Sequence, residues 1–334
     1  KILEMILLYR YKDYFTTTCN QFGFKTQLGA DMCVYTYKQV VDYYRSLSSP
    51  VYVSYLDASK AFDRINHYHL MSKLIKRKLP IIVVRLLYFW YKNQNFMVRW
   101  GSVLSDQFKV TNGVRQGSII SPYYFNVYLD DLSIFLNKCN SGCVINAQKV
   151  NHIFYADDSV LLGPSPMSLH TLLNICETYA KKYELSFNVK KTKVMCLKPE
   201  KMTNLSVPVF KLDGKELEVV YTQKYLGVFI TDNLKDDNDM CRQIKSVYAK
   251  GNILVRKFYQ CSTEVKARLF KAYCCSFYCN QLWCNFNGDT YRKLQTSYNT
   301  IVRYLFNLDR RDSVSQKCLY LGIDCLKVLL RRDV

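Results

Sequence analysis

Carboxylates, histidines and long apolar runs are all in short supply in this chain. Of its 334 residues, 27 are Asp or Glu against 47 Lys or Arg, a formal net charge of +20 at pH 7. That balance suits a polyanionic partner, whose phosphates would dominate affinity and make it salt-dependent. No apolar run is long enough to span a bilayer. The most apolar stretch, Pro80 to Tyr91, is broken by Arg85, and a membrane is not expected as a partner. Lys1 to Tyr14 carries Glu4 and lacks the n-region, h-region and cleavage site of a signal peptide. The 14 cysteines are therefore expected as free thiols in a reducing compartment, nucleus or cytoplasm, rather than as disulfides. Only four histidines occur, the last being His170. The cluster Cys274, Cys275, Cys279 and Cys284 has no histidine nearby and matches no common zinc-finger spacing. It reads as small apolar residues on a buried helix. His67 and His69 lack further ligands and read as orienting a loop. There is no low-complexity linker and no internal repeat.

What is present is a sizeable core and a few acids in telling places. Hydrophobic residues make up 49% of the chain, enough for two or three domains. The 28 Tyr and 18 Phe could stack on single-stranded bases, with most of them in the core. Phe154-Tyr155-Ala156-Asp157-Asp158 sets two adjacent carboxylates between apolar runs, which predicts a hairpin with the acids at its tip. Side by side, ionised carboxylates repel. A divalent cation between them relieves this, and Mg²⁺ takes carboxylate and phosphate oxygens. The bland alternative is a solvated turn. A third acid, Asp57, ends the β-rich run Val51-Tyr52-Val53-Ser54-Tyr55-Leu56-Asp57. An acid at a strand end beside a tip carrying two more is how a two-metal site is built, with ions roughly 3.5–4 Å apart clamping a phosphoryl displacement. Between them lies Gly113-Val114-Arg115-Gln116-Gly117-Ser118-Ile119-Ile120-Ser121-Pro122. Its glycines allow close backbone approach, Arg115 and Gln116 add donors, and the start of the helix it opens would favour phosphate.

Periodicity predicts helix, loop and helix over 1–49, a strand over 51–57, and helices over 66–79 and 81–92. Strands at 96–100 and 107–111 join at Gly101-Ser102. A long helix over 118–137 precedes the acidic hairpin at 150–162, a helix at 167–183 and a strand over 186–197. Asp213-Gly214 marks a further hairpin. Beyond Asp232 the apolar spacing turns helical over 238–258, 263–283, 289–307 and 313–331. Strand, helix and strand with an inserted hairpin fit a split βαβ, ferredoxin-like α+β sheet.

The order Leu56-Asp57, Lys60-Ala61-Phe62-Asp63, Gly113 to Pro122 and Tyr155-Ala156-Asp157-Asp158 resembles the reverse transcriptases of non-LTR retrotransposons. So do Gln21-Phe22-Gly23-Phe24-Lys25, Phe187-Asn188-Val189-Lys190-Lys191-Thr192-Lys193 and Lys224-Tyr225-Leu226-Gly227-Val228. The last three resemble a fingers motif, the motif after the catalytic hairpin, and the primer-grip turn. Together the motifs run in the family's order over 21–230. The resemblance implies an RNA-directed DNA polymerase of right-hand architecture. Fingers would lie at 1–49 and 80–112, the palm at 50–79 and 113–232, and a helical thumb at 233–334. Partners would be an RNA template, a DNA primer and dNTPs, and the cofactor Mg²⁺ or Mn²⁺.

The same resemblance assigns roles. Asp57, Asp157 and Asp158 would bind metal, with the carbonyl of Ala58 a further oxygen. Phe62 would be the steric gate against a 2′-hydroxyl, its alternative being a core aromatic. Arg115, Gln116 and Gly117 would meet the substrate. Lys191, or Lys190 one residue away, would offset charge on the pyrophosphate or protonate it. Lys25 stands where the family commonly has arginine, and would reach the triphosphate without the bidentate fork of Arg. Lys1-Ile2-Leu3-Glu4 resembles the tail of the family's first fingers motif, so the chain reads as truncated at the N-terminus: a piece of a longer polyprotein, or a truncated copy of an element. An inactive nucleic-acid-binding relic, a group II intron or retron-type enzyme and an RNA-dependent RNA polymerase are the competing readings.

Overall fold

The chain enters the fold through α1 (Ile2–Tyr11), which buries Glu4 and Leu7, and a 3₁₀ turn at Lys12–Phe15. The structure is a computed structural model and describes residues 1–199, 202 and 206–332. Helix α2 (Ala30–Ser46) buries Cys33, Val34, Tyr37, Val40 and Val41, the spacing of a single helical face. Strand β1 (Val51–Asp57) is buried at every position but its last, as a central strand covered on both sides must be. Helix α3 (His67–Lys76) starts at Asn66, whose side-chain oxygen accepts from the Tyr68 and His69 amides. Helix α4 (Ile81–Lys92) follows Pro80.

Four short strands follow: β2 (Asn95–Phe96), β3 (Arg99–Trp100), β4 (Val103–Leu104) and β5 (Phe108–Lys109). They form nested pairs, β2 with β5 and β3 with β4, where two continuous strands were expected. The ladder breaks because the Val98 amide donates to the Ser105 hydroxyl. Helix α5 (Ser121–Lys138) carries Pro122 in its first turn. Then come β6 (Val144–Ile145), β7 (Gln148–Lys149), β8 (His152–Tyr155), β9 (Asp158–Gly163) and α6 (Pro166–Lys182). Strand β10 (Lys193–Leu197) is shorter than the strand expected over 186–197. Residues 188–191 turn instead, because the Asn188 side-chain oxygen accepts from the Lys190 and Lys191 amides. The Asp213-Gly214 hairpin joins β11 (Lys211–Leu212) to β12 (Lys215–Glu216), and β13 (Glu218–Val219) follows.

The main sheet runs β13-β10-β1-β9-β8. Strand β1 is antiparallel to both neighbours, and β13 is parallel to β10. Helix α6 packs on β1 and β9, and α2 on β1 and β8. They take opposite faces, as the two-residue period of a strand dictates. Tyr52 faces the cluster shared with α5 and α6, while the Tyr55 hydroxyl meets that of Tyr37 on α2 at 2.7 Å.

Compactness divides the chain at Val220 and Tyr221, twelve residues before the palm–thumb boundary expected at 232. The second unit begins with β14 (Thr222–Tyr225) and β15 (Val228–Thr231), a hairpin that packs on α7 (Asp237–Lys257). The buried Asp239 carboxylate on α7 accepts the Phe229 amide, which draws the hairpin into this unit. Helix α8 (Thr263–Cys274) ends well before the expected residue 283. Asp236 accepts the amides of Cys284 and Asn285, and the Trp283 indole donates to Asp239, so this segment is held in a loop. The four clustered cysteines therefore do not share one helix. Cys274 ends α8, Cys279 is in a left-handed turn and Cys284 is exposed. Helix α9 (Gly288–Leu305) precedes α10 (Val314–Tyr320) and α11 (Leu326–Arg332). One helix was expected over 313–331. It is interrupted where the Ile323 amide turns back to the Cys318 carbonyl. Among the described residues no helix is long and apolar enough to cross a membrane.

Candidate active site

Strand register brings the acids together. Asp57, the last residue of β1, is the cross-strand partner of Asp158, the first of β9. Tyr155 pairs with Asp158 across the β8–β9 hairpin, so Ala156 and Asp157 form its two-residue tip. Ala156 adopts φ +54°, the left-handed region that such tight turns require. Asp157 and Asp158 both reach solvent. Partial desolvation, followed by the charges of Asp157 and Asp57, pushes the Asp158 carboxyl up to about 6. Desolvation is the larger cause, and the like charges sharing the site act in the same direction. Among the described residues no group of three or more His, Cys, Asp or Glu side chains is drawn tightly enough to hold a metal ion as it stands. The donors present are hard carboxylate oxygens, the type that Mg²⁺ and Mn²⁺ take.

The turn after α6 wraps Asp57. Its carbonyl accepts the Asn188 amide at 2.8 Å, and its amide donates to the Thr192 hydroxyl at 3.3 Å. Ala58 bridges to Phe187. The same turn sets the Lys191 ammonium 4.0 Å from the Asp57 carboxylate, which picks Lys191 from the two adjacent candidates as the residue at the acid.

Beside Asp57, the chain at 58–65 is stitched to the Gly113–Gly117 segment. The amides of Gly113 and Val114 donate to the carbonyls of Ile65 and Phe62, each at 2.8 Å. Gly113, at φ +89°, leaves no room for a side chain: a Cβ there would lie 2.8 Å from the Asp63 carbonyl oxygen. The buried His67 ring donates to the Gly113 carbonyl at 2.7 Å, and its burial lowers its proton affinity. His69 packs edge-on against Tyr183, so the two histidines serve different partners. Phe62 is half-buried and stacks on Phe125 of α5 at 5.0 Å. Gln116 reaches the Asp63 carboxylate at 3.4 Å, and both Gln116 and Gly117 are exposed. The Arg115 guanidinium lies over Trp90 and Phe96 and donates from Nε to Gln94.

Two expectations change. Lys25 donates to the carbonyls of Thr17 and Thr18, and burial lowers its pKa, so its ammonium is engaged within the fold. The approach to α5 is already occupied by an anion. The buried Glu4 carboxylate accepts from the Ser118 hydroxyl at 2.8 Å and the Ile119 amide at 3.1 Å. A phosphate expected at this turn would find that amide taken. The sequence signal for Glu4 was an acid on the buried face of a helix. Thr192, which is fully buried, had no signal of its own.

Comparison with known proteins covers the same stretch of the chain. A family model described as "Reverse transcriptase (RNA-dependent DNA polymerase)" matches residues 1–230. The chain is 28% identical over 149 residues to the retrovirus-related Pol polyprotein from type-1 retrotransposable element R2 of Nasonia vitripennis, covering 45% of this chain and 14% of the relative. It is 26% identical over 242 residues to the R2 Pol polyprotein of Popillia japonica, covering 64% and 37%. It is 24% identical over 265 residues to the RNA-directed DNA polymerase from mobile element jockey of Drosophila funebris, covering 75% and 28%. The chain thus spans between 14% and 37% of the length of these relatives. Among solved structures, telomerase from Candida Tropicalis in complex with a TWJ fragment of telomeric RNA aligns at a TM-score of 0.50 and 12% identity, over 96% of this chain and 56% of that one. This likeness shows the fold, the right-hand polymerase fold expected from the motifs.

Proposed function

Since the chain belongs to the reverse transcriptase (RNA-dependent DNA polymerase) family, we propose that it is the polymerase part of a non-LTR retrotransposon protein. It would add dNTPs to a DNA primer 3′-hydroxyl along an RNA template, inside the cell, in nucleus or cytoplasm. The observation that carries the reading is the register pairing of Asp57 with Asp158, next to the Asp157 tip. Phosphoryl transfer needs little from a protein beyond positioning and charge stabilisation, and three carboxylates at two strand ends offer both. Asp57, Asp157 and Asp158 would hold Mg²⁺, with Mn²⁺ as a substitute. Bound there, the cations would lower the pKa of the primer hydroxyl and offset charge on the triphosphate and the leaving pyrophosphate.

The chain's own groups do the rest. Lys191, ion-paired to Asp57, would offset charge on the leaving group or protonate it. Phe62, braced by Phe125, would press its ring against the sugar of the incoming nucleotide and reject a 2′-hydroxyl. Gln116 and the open backbone at Gly117 would lie along the template–nucleotide pair, with Arg115 anchoring the segment from its aromatic bed. Fingers are assigned to 1–49 and 80–112, and the palm to 50–79 and 113–220. The 222–231 hairpin goes with the helical unit that follows.

Primer extension on an RNA template with Mg²⁺ tests the proposal. Extension with dNTPs and not with rNTPs, abolished by Asp157→Ala, Asp158→Ala, is the expected result. Salt-sensitive RNA binding with no metal-dependent extension would point to a binding relic, or to a piece that needs the rest of its fingers and is then tested at full length.

A further inference from the structure

The segment Asn20-Gln21-Phe22-Gly23 lies against the catalytic hairpin, not apart from it. Gln21 forms a parallel bridge to Phe154 on the free edge of β8. The Phe154 amide donates to the Asn20 carbonyl at 2.8 Å, and the Phe22 amide to the Phe154 carbonyl at 2.7 Å. The Asn20 side chain adds a bond to the His152 carbonyl. This edge continues to the tip. The Gln21 side-chain oxygen accepts from the Gly23 amide at 2.9 Å and from the Ala156 amide at 3.1 Å. Ala156 is the residue immediately before Asp157. Gly23 closes the contact, since a Cβ there would lie 2.6 Å from the Ala156 nitrogen.

Gln21 is 2% exposed, and its side-chain nitrogen has no hydrogen-bond partner among the described residues. A buried donor left unsatisfied works against folding. A methionine of similar length would remove that orphan but leave the Gly23 and Ala156 amides without their acceptor. The acceptor oxygen is therefore what the glutamine contributes. A two-residue turn with its first residue at positive φ has a strained backbone, and a fixed acceptor on that residue's amide restricts how the turn can tilt.

We propose that Gln21 is a positioning residue for the catalytic hairpin: its carboxamide oxygen, on a strand-like segment laid along β8, holds the Ala156 amide and thereby fixes the direction in which Asp157 presents its carboxylate. The proposal rests on the polymerase reading only for the use to which Asp157 is put. The hairpin restraint itself stands on the hydrogen bonds above.

Amide hydrogen exchange of the 334-residue chain, resolved at single residues, tests it directly. In the wild-type protein the Ala156 amide should be protected, unlike the turn amides of Ala147 and Gly214. Gln21→Met, which takes the acceptor from the Gly23 and Ala156 amides, should speed exchange at Ala156 by about ten-fold or more and lower the melting temperature somewhat. A merely structural role would speed exchange at the other strand amides of the sheet to the same degree. Gln21→Glu, which keeps the acceptor, should restore protection. Mn²⁺ binding followed by electron paramagnetic resonance supplies the second readout, and Gln21→Met should weaken it several-fold. An Ala156 amide that exchanges freely in the wild type, or equally in the wild type and Gln21→Met, overturns the inference whatever the metal result. Equal Mn²⁺ binding by the wild type and Asp157→Ala would instead remove the polymerase use of the acid and leave the exchange result to decide on Gln21.

Discussion

Glu4 and Ile119 stand 115 residues apart in the chain and are joined by one hydrogen bond, carboxylate to amide, at 3.1 Å. The bond ties the first helix to the segment that leads into α5, directly after Gln116 and Gly117. A buried carboxylate is tolerated only when its oxygens are satisfied, and here Ser118 and Ile119 supply a donor to each.

Replacing Glu4 by alanine should therefore destabilise the chain by about 2–3 kcal/mol, the range for losing hydrogen bonds to a buried charge and orphaning a donor. Urea unfolding followed by circular dichroism measures this. A midpoint unchanged within error would show that the carboxylate contributes nothing to the fold.

Lys190 and Lys191 differ by one position and should differ sharply in effect. Lys191→Ala removes the group beside Asp57 and is expected to slow single-turnover dNTP addition by about a hundred-fold, the lower end for a general acid. Lys190→Ala should stay within about two-fold of the wild type. Equal losses in the two variants would point to generic nucleic-acid affinity in place of a role at the leaving group.

Phe62→Val keeps an apolar contact with Phe125 but withdraws the ring. Ribonucleotide incorporation relative to deoxyribonucleotide should rise by about ten-fold or more, since steric exclusion by a single side chain operates at that scale. Competition extension with both nucleotide types reads the ratio. Unchanged selectivity would return Phe62 to a core aromatic.

His152 gives the fold a pH dependence. It is fully buried. Its Nδ1–H faces the Asn151 side-chain oxygen at 2.7 Å and its Nε2 faces the Ser133 hydroxyl at 2.6 Å, the pattern of a neutral ring. Burial lowers its pKa from 6.5 to about 3. The unfolded chain therefore binds the proton more readily. The stability this group confers is complete above pH 6.5 and is lost as pH falls from there towards 3. The loss amounts to about 2 kcal/mol by pH 5. Urea midpoints at pH 7 and pH 5 should show that difference, and His152→Phe should flatten it. An equal slope in both proteins would assign the acid sensitivity elsewhere.

Several features could be read without coordinates because they depend on local spacing. The apolar runs flanking Asp157 and Asp158 define a hairpin by the two-residue period of strands, and the run ending in Asp57 defines a buried strand. The helices of the first unit follow apolar periodicity to within a few residues. The boundaries that shifted did so where a side chain took a backbone partner. Asn188 shortened β10, Ser105 split the nested strands, and Asp236 and Asp239 pulled 283–285 out of the expected helix. Such bonds compete with secondary structure, and periodicity does not report them.

By itself, then, the sequence determined the acids, their strand and hairpin settings, and the order of motifs, since each lies within a few residues of the signal that reveals it. Only the tertiary structure decided that Asp57 registers with Asp158, that Lys191 and not Lys190 meets Asp57, that Glu4 occupies the approach to α5, and that Gln21 holds the hairpin tip. Each of these is a contact between segments distant in the chain, and such contacts are set by strand register and burial, which local spacing does not encode.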